Sequence, residues 1–356
     1  MAISLRARLR SVLGDTLTEE ELLKRFYYGK LLGVGATCKV YAALDAQTNA
    51  KVAIKEFDKA QLIEIRRSIA AHGKCLRKEL AVHRVCRRLR NIISEIEILK
   101  SIHHPNIIRF FGAYETSHRI CIVCERVDGA DLLDFITKKG RMSEAEASVV
   151  FRQLFSAVRY CHKRKIYHRD LKLENVLITR DLHVKLIDFG LAERRHGLLH
   201  KICGTPLYCS PEVLFSHSHF DRDGRFKGAP ADVWSIGVII FALLTGCAPF
   251  DDSSFESLRY DVSRNRIAYP THLSDAAKGL LKIMFTFDPD LRPSISDILE
   301  YQWLQSGSAV IAEGYTGIDF SPKNALMCIT HLKSVQSHEG SDKTICSTAS
   351  YDEHAI

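Results

Sequence analysis

Apolar and polar positions change rhythm near residue 130. Before it, short apolar-rich runs around YYGKLLGVGA, KVYAALD and AKVAIKEF, with the turn residues DAQTN between them, predict β-hairpins over 26–58. At 82–99 the period lengthens: Val82, Val85, Leu89, Ile92, Ile96 and Leu99 step by threes and fours, one face of a helix. IIRFFGAYE and RICIVCERV read as two more strands. From Ala130 the period is mostly helical, through DLLDFITKKG, SEAEASVVFRQLFSAVRYCHKR, ADVWSIGVIIFALLTG and SDAAKGLLKIMF. Ser143 with Glu146 is a capping box at the start of the second of these. After Leu304 the chain turns polar without a period, so 305–356 reads as a disordered tail. The expected class is α+β, with residues 1–25 as an N-terminal extension, a strand-rich lobe at about 26–126 and a helical lobe at about 127–304.

Composition narrows the setting. The longest apolar run, Ile236 to Phe250, carries two glycines and a proline and is shorter than the ~20 residues of a membrane span. It predicts a buried core helix, and no transmembrane segment is expected. The opening MAISLRARLRSVLG lacks the apolar core of a secretory signal and reads as a solvated or peripheral helix. Eleven unpatterned cysteines suit a reducing, intracellular and cytoplasmic setting. Cys121 and Cys124, on a predicted strand, point to opposite faces, which disfavours a shared metal. The net charge of +8 is local: residues 59–91 hold ten Lys/Arg against two acidic residues, and the rest of the chain carries 40 of each sign. Specific nucleic-acid binding by the whole fold is therefore not expected.

LGVGATCKV lies between two strand-like runs rather than opening a helix, which disfavours a dinucleotide fold. Its glycines would let backbone N–H groups approach phosphates closely. Lys55 follows in VAIK; it is either a solvated strand end or a phosphate-binding cation held by Glu95 or Glu97 on the amphipathic helix. Farther on stand YHRDLKLEN and LIDFG. Phosphoryl transfer needs an acceptor for the hydroxyl proton, a cation for the moving phosphate and oxygen ligands for Mg²⁺. Asp170, Lys172, Asn175 and Asp188 supply these in order.

With SPE at 210–212, DVWSIGV at 232–238 and LRPS at 291–294, the chain resembles the eukaryotic protein kinases, from Leu32 to Trp303. Lys172 and the GTPLYCSPE segment resemble the Ser/Thr class, and HHPNIIRFFGAYE the calcium/calmodulin-dependent and AMP-activated kinase-like branch. The resemblance implies a bilobal fold with a five-stranded antiparallel sheet and one key helix, and a Ser/Thr protein kinase using ATP and Mg²⁺ on protein substrates. It implies Asp170, Lys172, Lys55 and Glu95 as catalytic residues. ATP would lie against Leu32, Gly33, Val34, Gly35, Ala36, Thr37, Cys38, Lys39 and Val40, Lys55, and the backbone of Glu125 and Val127. Asn175 and Asp188 would hold the metal, and Cys124 would be a small gatekeeper. Arg292 would pair with Glu212, Asp232 would buttress the catalytic loop and Thr205 would support Asp170. Asp131 and Glu174 match positions that read an upstream arginine, so a preference for basic residues before the target is expected; the alternative is two solvated acids.

Several positions depart from the family pattern. Cys38 stands where a third glycine is usual, and an electrophile could modify it if exposed. Lys55 and Glu95 are 40 residues apart, about twice the family spacing, which places an insertion near 60–81. This basic segment is either a docking surface for an acidic partner or anionic surface, or a lengthened helix start or loop. From Leu191 to Gly204 there is no Ser, Thr or Tyr, and Lys201 occupies the activating-threonine position. The expectation is that phosphorylation at the usual loop site is not the switch, and that another contact orders the segment: a partner, the tail, or packing through Leu198 and Leu199. FSHSHFDRDGRFKG at 215–228 is long and reads as a surface loop rather than a metal site at His217 and His219. A kinase-shaped scaffold without turnover is the rival reading, opposed by the presence of Lys55, Asp170 and Asp188; a lipid or small-molecule kinase is opposed by the peptide-groove segment GTPLYCSPE.

Overall fold

Two helices form before the first strand begins. Helix α1 (Ala2–Val12) buries Leu9, Val12 and, just beyond its end, Leu13. Helix α2 (Glu19–Arg25) starts in a capping box made by Thr18 and Glu21, with Glu19, Glu20 and Glu21 in its first turn and Lys24 and Arg25 in its last, as the helix dipole favours. Its Leu22 is buried in one core with Phe26, Val52, Ile54 and Val123. The extension is thus packed into the structure rather than solvated. The structure, a computed structural model, describes residues 2–14, 16–35, 37–60, 75–199, 203–215 and 225–305. Ala36, Lys201, His217, His219, most of the basic insertion and the tail after 305 lie outside them.

Strands β1 (Phe26–Val34), β2 (Lys39–Asp45), β3 (Ala50–Asp58), β4 (Phe110–Glu115) and β5 (Arg119–Glu125) form one antiparallel sheet in the order β1-β2-β3-β5-β4. The register sets Lys55 opposite Val40 on one side and Ile122 on the other. Alternation along β3 sends Val52 and Ile54 into the core and Lys55 to the other face, toward the Phe57 ring. Helix α3 (Cys75–Ser101) buries Ile92, Ile96 and Leu99, as the periodicity predicts. It begins seven residues before Val82, because CLRKELA is rich in helix formers and holds no glycine or proline. Part of the basic segment is therefore a lengthened helix start.

The chain divides into two compact units, Met1–Asp128 with Lys185–Glu193, and Gly129–Val184 with Arg194–Ile356. In the second, strand β6 (Ala130–Asp131) leads into α4 (Leu132–Lys139), whose N-cap is Asp131. Helix α5 (Glu144–Lys163) starts in the Ser143–Glu146 capping box. Strands β7 (Ile166–Tyr167) and β8 (Val176–Ile178) flank the catalytic-loop sequence, and β8 pairs with β6. Then come α6 (Pro211–Leu214), α7 (Gly228–Thr245), α8 (Phe255–Arg264), α9 (Asp275–Met284) and α10 (Ile295–Leu299). Helix α7 carries the long apolar run and is buried along most of its length. Its Trp234 stacks on Phe250 and meets Phe285 edge-on, with ring centroids at 5.7 and 5.1 Å.

Candidate active site

In the first unit the central group is Lys55. Its Nζ lies 2.6 Å from Glu95 Oε1 and 2.8 Å from Asp188 Oδ1. Burial alone would lower the Lys55 pKa, but Asp188 and Glu95 outweigh it and hold the ammonium above its ordinary range. Of the two carboxylates open on the helix, Glu95 takes the lysine, and Glu97 is turned to Arg8 instead. Asp188 sits at φ 57°, a strained backbone for a non-glycine residue, with its Oδ1 also accepting from the Gly190 N–H at 3.1 Å.

Leu32, Gly33, Val34 and Gly35 run exposed along the end of β1, and the Gly35 N–H closes the tip on the Cys38 carbonyl at 2.9 Å. A side chain at Gly33 would meet nothing within 4 Å, so its backbone is open to a ligand. Thr37, Cys38 and Val40 are half-buried and Lys39 is exposed on the return strand. Burial pushes the Cys38 thiol up, which disfavours the reactive thiolate that electrophile modification needs. At the end of β5, the Glu125 N–H is engaged by the Arg109 carbonyl at 2.8 Å, so the strand segment has its own carbonyl to offer. Val127 follows, half-buried. Burial raises the Cys124 thiol to about 12 and keeps it neutral.

In the second unit Asp170 is held from two directions. Its Oδ1 accepts from the Thr205 N–H and Oγ1, both at 3.1 Å, and the Asn175 amide nitrogen donates to the Asp170 carbonyl at 2.8 Å and to Oδ2 at 3.2 Å. Lys172 Nζ stands 3.8 Å from the same Oδ2. The loop before it is fixed by Asp232, which accepts from the His168 N–H at 3.0 Å, the Arg169 N–H at 2.9 Å and the His162 ring at 2.8 Å. Burial opposes the Asp232 charge, yet His162 and the Arg169 N–H hold its pKa below the usual carboxylate range. Those bonds restrain Arg169 at φ 65°. Gly204, at φ +104°, lies so close that a Cβ would come 2.7 Å from the Arg169 carbonyl.

The activation segment is anchored by packing. Leu199 is fully buried, and its N–H and C=O exchange hydrogen bonds with Phe226 at 2.8 and 3.0 Å; Leu198 is exposed. Phe226 stands two residues before α7, where only its being apolar in a polar stretch of sequence hinted at a buried role. Gly228 lets the two chains meet, since a Cβ there would lie 2.4 Å from Tyr167 Cγ and 2.8 Å from Leu199 Cδ1. Gly228→Ala should therefore lower Tm and cut turnover together, by about 1–3 kcal/mol of overpacking. Thermal unfolding and steady-state kinetics check this; an unchanged Tm would mean that the loop yields freely.

The family model for the protein kinase domain matches residues 26–304. The chain belongs to the protein kinase family. This kinase is 37% identical over 287 residues to the SNF1-related protein kinase catalytic subunit alpha KIN12 of Arabidopsis thaliana, covering 80% of this chain and 52% of that one. It is 38% identical over 288 residues to CBL-interacting protein kinase 32 of Oryza sativa subsp. japonica, covering 80% and 59%. With CBL-interacting serine/threonine-protein kinase 17 of Arabidopsis thaliana it shares 35% over 286 residues, covering 79% and 60%. These groups lie on the AMP-activated kinase-like branch, and the kinase spans about half the length of the relatives it matches.

Proposed function

We propose that this kinase transfers the γ-phosphoryl group of ATP to serine or threonine hydroxyls on proteins, at targets preceded by basic residues. The observation that carries the reading is Asp170, whose carboxylate is oriented by Thr205 and Asn175 with the Lys172 ammonium beside it. Asp170 takes the substrate hydroxyl proton, and Lys172 offsets the charge that develops on the phosphoryl oxygens. Lys55, kept charged and aimed by Glu95, binds the ATP phosphates, and the Gly33–Gly35 backbone covers them. The Glu125 carbonyl and the Val127 backbone hold adenine.

Asn175 and Asp188 each carry a side chain that suits Mg²⁺. Both offer hard oxygen atoms; the Asn175 amide nitrogen is tied to Asp170, which leaves its Oδ1 to a cation, and the Asp188 side chain is 44% exposed. The bound ion would neutralise phosphate charge.

The preference for basic residues rests on Asp131 and Glu174. Both are half-buried, and burial raises the pKa of both; Asp131 also accepts from the Asp134 N–H as the N-cap of α4. Glu174 Oε2 is buried without a hydrogen-bond partner among the described residues, an arrangement that a guanidinium would relieve. Phosphate transfer from labelled ATP onto a peptide library, with Asp188→Ala as the control, should favour serine or threonine after arginine. The preference requires ionised carboxylates. Because both pKa values are raised, it should fade as pH falls, and at higher pH than for exposed acids. The ratio of kcat/KM for arginine and alanine peptides between about pH 5 and 8 measures this. A ratio flat near one would sink the arginine reading and leave the transfer itself standing.

A further inference from the structure

Helix α1 contains Arg6, Arg8 and Arg10 immediately before Ser11, so this serine has arginine one, three and five residues upstream. Ser11 is exposed in the last turn, and its Oγ donates to the Arg8 carbonyl at 2.8 Å. The same turn ties α1 to α3. Arg8 Nε and Nη2 reach the two oxygens of Glu97 at 2.9 and 2.7 Å, and Lys100 Nζ donates to the Val12 carbonyl. Leu9, Val12 and Leu13 are buried, and the Gly14 N–H bonds the Ala113 carbonyl at 2.8 Å. Glu97 is two residues from Glu95, so the two carboxylates leave α3 on different faces. Helix α3 is held by Lys55 through one and by α1 through the other.

We propose that Ser11 is a phosphorylation site, modified by a second copy of this kinase, and that its phosphate keeps α1 away from α3. The proposal rests on the arginine preference given above. In the step, Ser11 Oγ bonds to the γ-phosphorus of ATP and the bond from that phosphorus to the β,γ-bridging oxygen breaks. ADP leaves, and the hydroxyl proton passes to Asp170 of the second copy. The arginine three residues upstream is Arg8, which in the docked helix is engaged by Glu97. Transfer therefore proceeds from the undocked segment, and an eleven-residue helix without its packing partner is marginal in water.

The product does not redock well, for three reasons. The phosphate puts about −1.5 to −2 of charge on the last turn, at the negative end of the helix dipole. It lies three residues from Arg8, on the same helix face, and competes with Glu97 for the guanidinium. The bond from Ser11 to the Arg8 carbonyl is also lost. With α1 away, α3 loses its tie through Glu97, and Glu95 two residues earlier is less firmly set on Lys55, so ATP binding weakens. Lys100 is the competing cation that would instead hold the phosphate in place.

The test uses the full chain. Asp188→Ala protein, unable to modify itself, is incubated with wild-type kinase and MgATP, and phosphopeptides are mapped; the peptide library is run beside it. Ser11 of the Asp188→Ala protein should be phosphorylated only when wild type is present. Phosphorylated wild type should show a lower Tm and a KM for ATP raised about fivefold, the low end of coupling between two sites. Phosphatase should reverse both changes, and Ser11→Ala protein taken through the same incubation should show neither. An enzyme that prefers arginine peptides but leaves Ser11 unmodified overturns the proposal alone. An enzyme indifferent to upstream arginine overturns the reading beneath it and the proposal with it. Ser11 phosphorylation with an unchanged or higher Tm and an unchanged KM overturns the release of α1.

Discussion

Asp170→Asn should cut phosphate transfer by about 10²–10⁴-fold, the usual contribution of a positioned general base, while leaving the fold in place. The substitution isolates the proton acceptor. An amide at 170 can still accept from the Thr205 N–H and Oγ1 at the position now 3.1 Å away, so the activation segment keeps its anchor, while its NH2 in the place of Oδ2 no longer accepts from the Asn175 amide, which keeps its 2.8 Å bond to the backbone carbonyl of residue 170. It cannot take the proton of a substrate hydroxyl. The neutral side chain also removes one carboxylate near Lys172, now 3.8 Å from Oδ2, but leaves Glu174 at 4.0 Å and the lysine itself to meet the phosphoryl oxygens. The loss should therefore fall on kcat. KM for ATP should hold, because the groups assigned to the phosphates, Lys55 with Glu95, lie in the other compact unit. Steady-state kinetics with labelled ATP, beside a thermal melt, separate these outcomes. If Asp170→Asn keeps near wild-type kcat, Asp170 is not the acceptor. If wild type and variant are equally silent while MgATP still raises Tm, the scaffold reading takes over.

The sequence was informative where chemistry or period constrains single positions. The threes and fours from Val85 to Leu99 place their residues on one helix face, and that face is buried at Ile92, Ile96 and Leu99. Glu95, Thr205, Asp232 and Arg292 were assigned partners through the family resemblance, and each is found hydrogen-bonded to the expected group. The docking of α1 could not be read. Leu9, Val12 and Leu13 announce an apolar stripe, but a stripe does not name what it packs on, and Arg8 finds Glu97 across 89 residues of chain. The start of α3 lies earlier than its apolar spacing predicts, for a related reason. Apolar spacing marks where a helix meets the core, whereas CLRKELA is helical on propensity alone. Packing through Leu198 and Leu199 is met at Leu199 and not at the exposed Leu198, and the partner Phe226 stands in a sequence stretch whose apolar residues have no period. Two-residue contacts between irregular segments leave almost no trace in a single sequence.

The largest loss of stability should come from Arg292→Ala. The Arg292 side chain has no exposed surface, and its guanidinium is used on every side. Nη1 and Nη2 reach the two Glu212 oxygens at 2.8 and 3.0 Å, while Nη1 also donates to the Pro230 carbonyl at 2.7 Å and Nε to the Thr286 carbonyl at 3.0 Å. The guanidinium carbon lies 5.1 Å from the centre of the Trp234 ring, within cation–π range. Truncation leaves Glu212 as a nearly buried charge without its partner and strips donors from three carbonyls, those of Thr286, Pro230 and Phe287. Removing one member of a buried pair costs about 3–5 kcal/mol, which corresponds to a fall in Tm of roughly 5–15 °C. Arg292→Lys should recover little, because one ammonium cannot bridge both carboxylate oxygens and still serve the carbonyls. Adding Glu212→Leu to Arg292→Met should recover much of the loss, because the double change removes the stranded charge and restores apolar packing. Chemical denaturation of the four proteins measures the differences. If Arg292→Ala loses less than about 1 kcal/mol, the value range of an exposed pair, water reaches this site and the ion pair does not hold Glu212 against the start of α7.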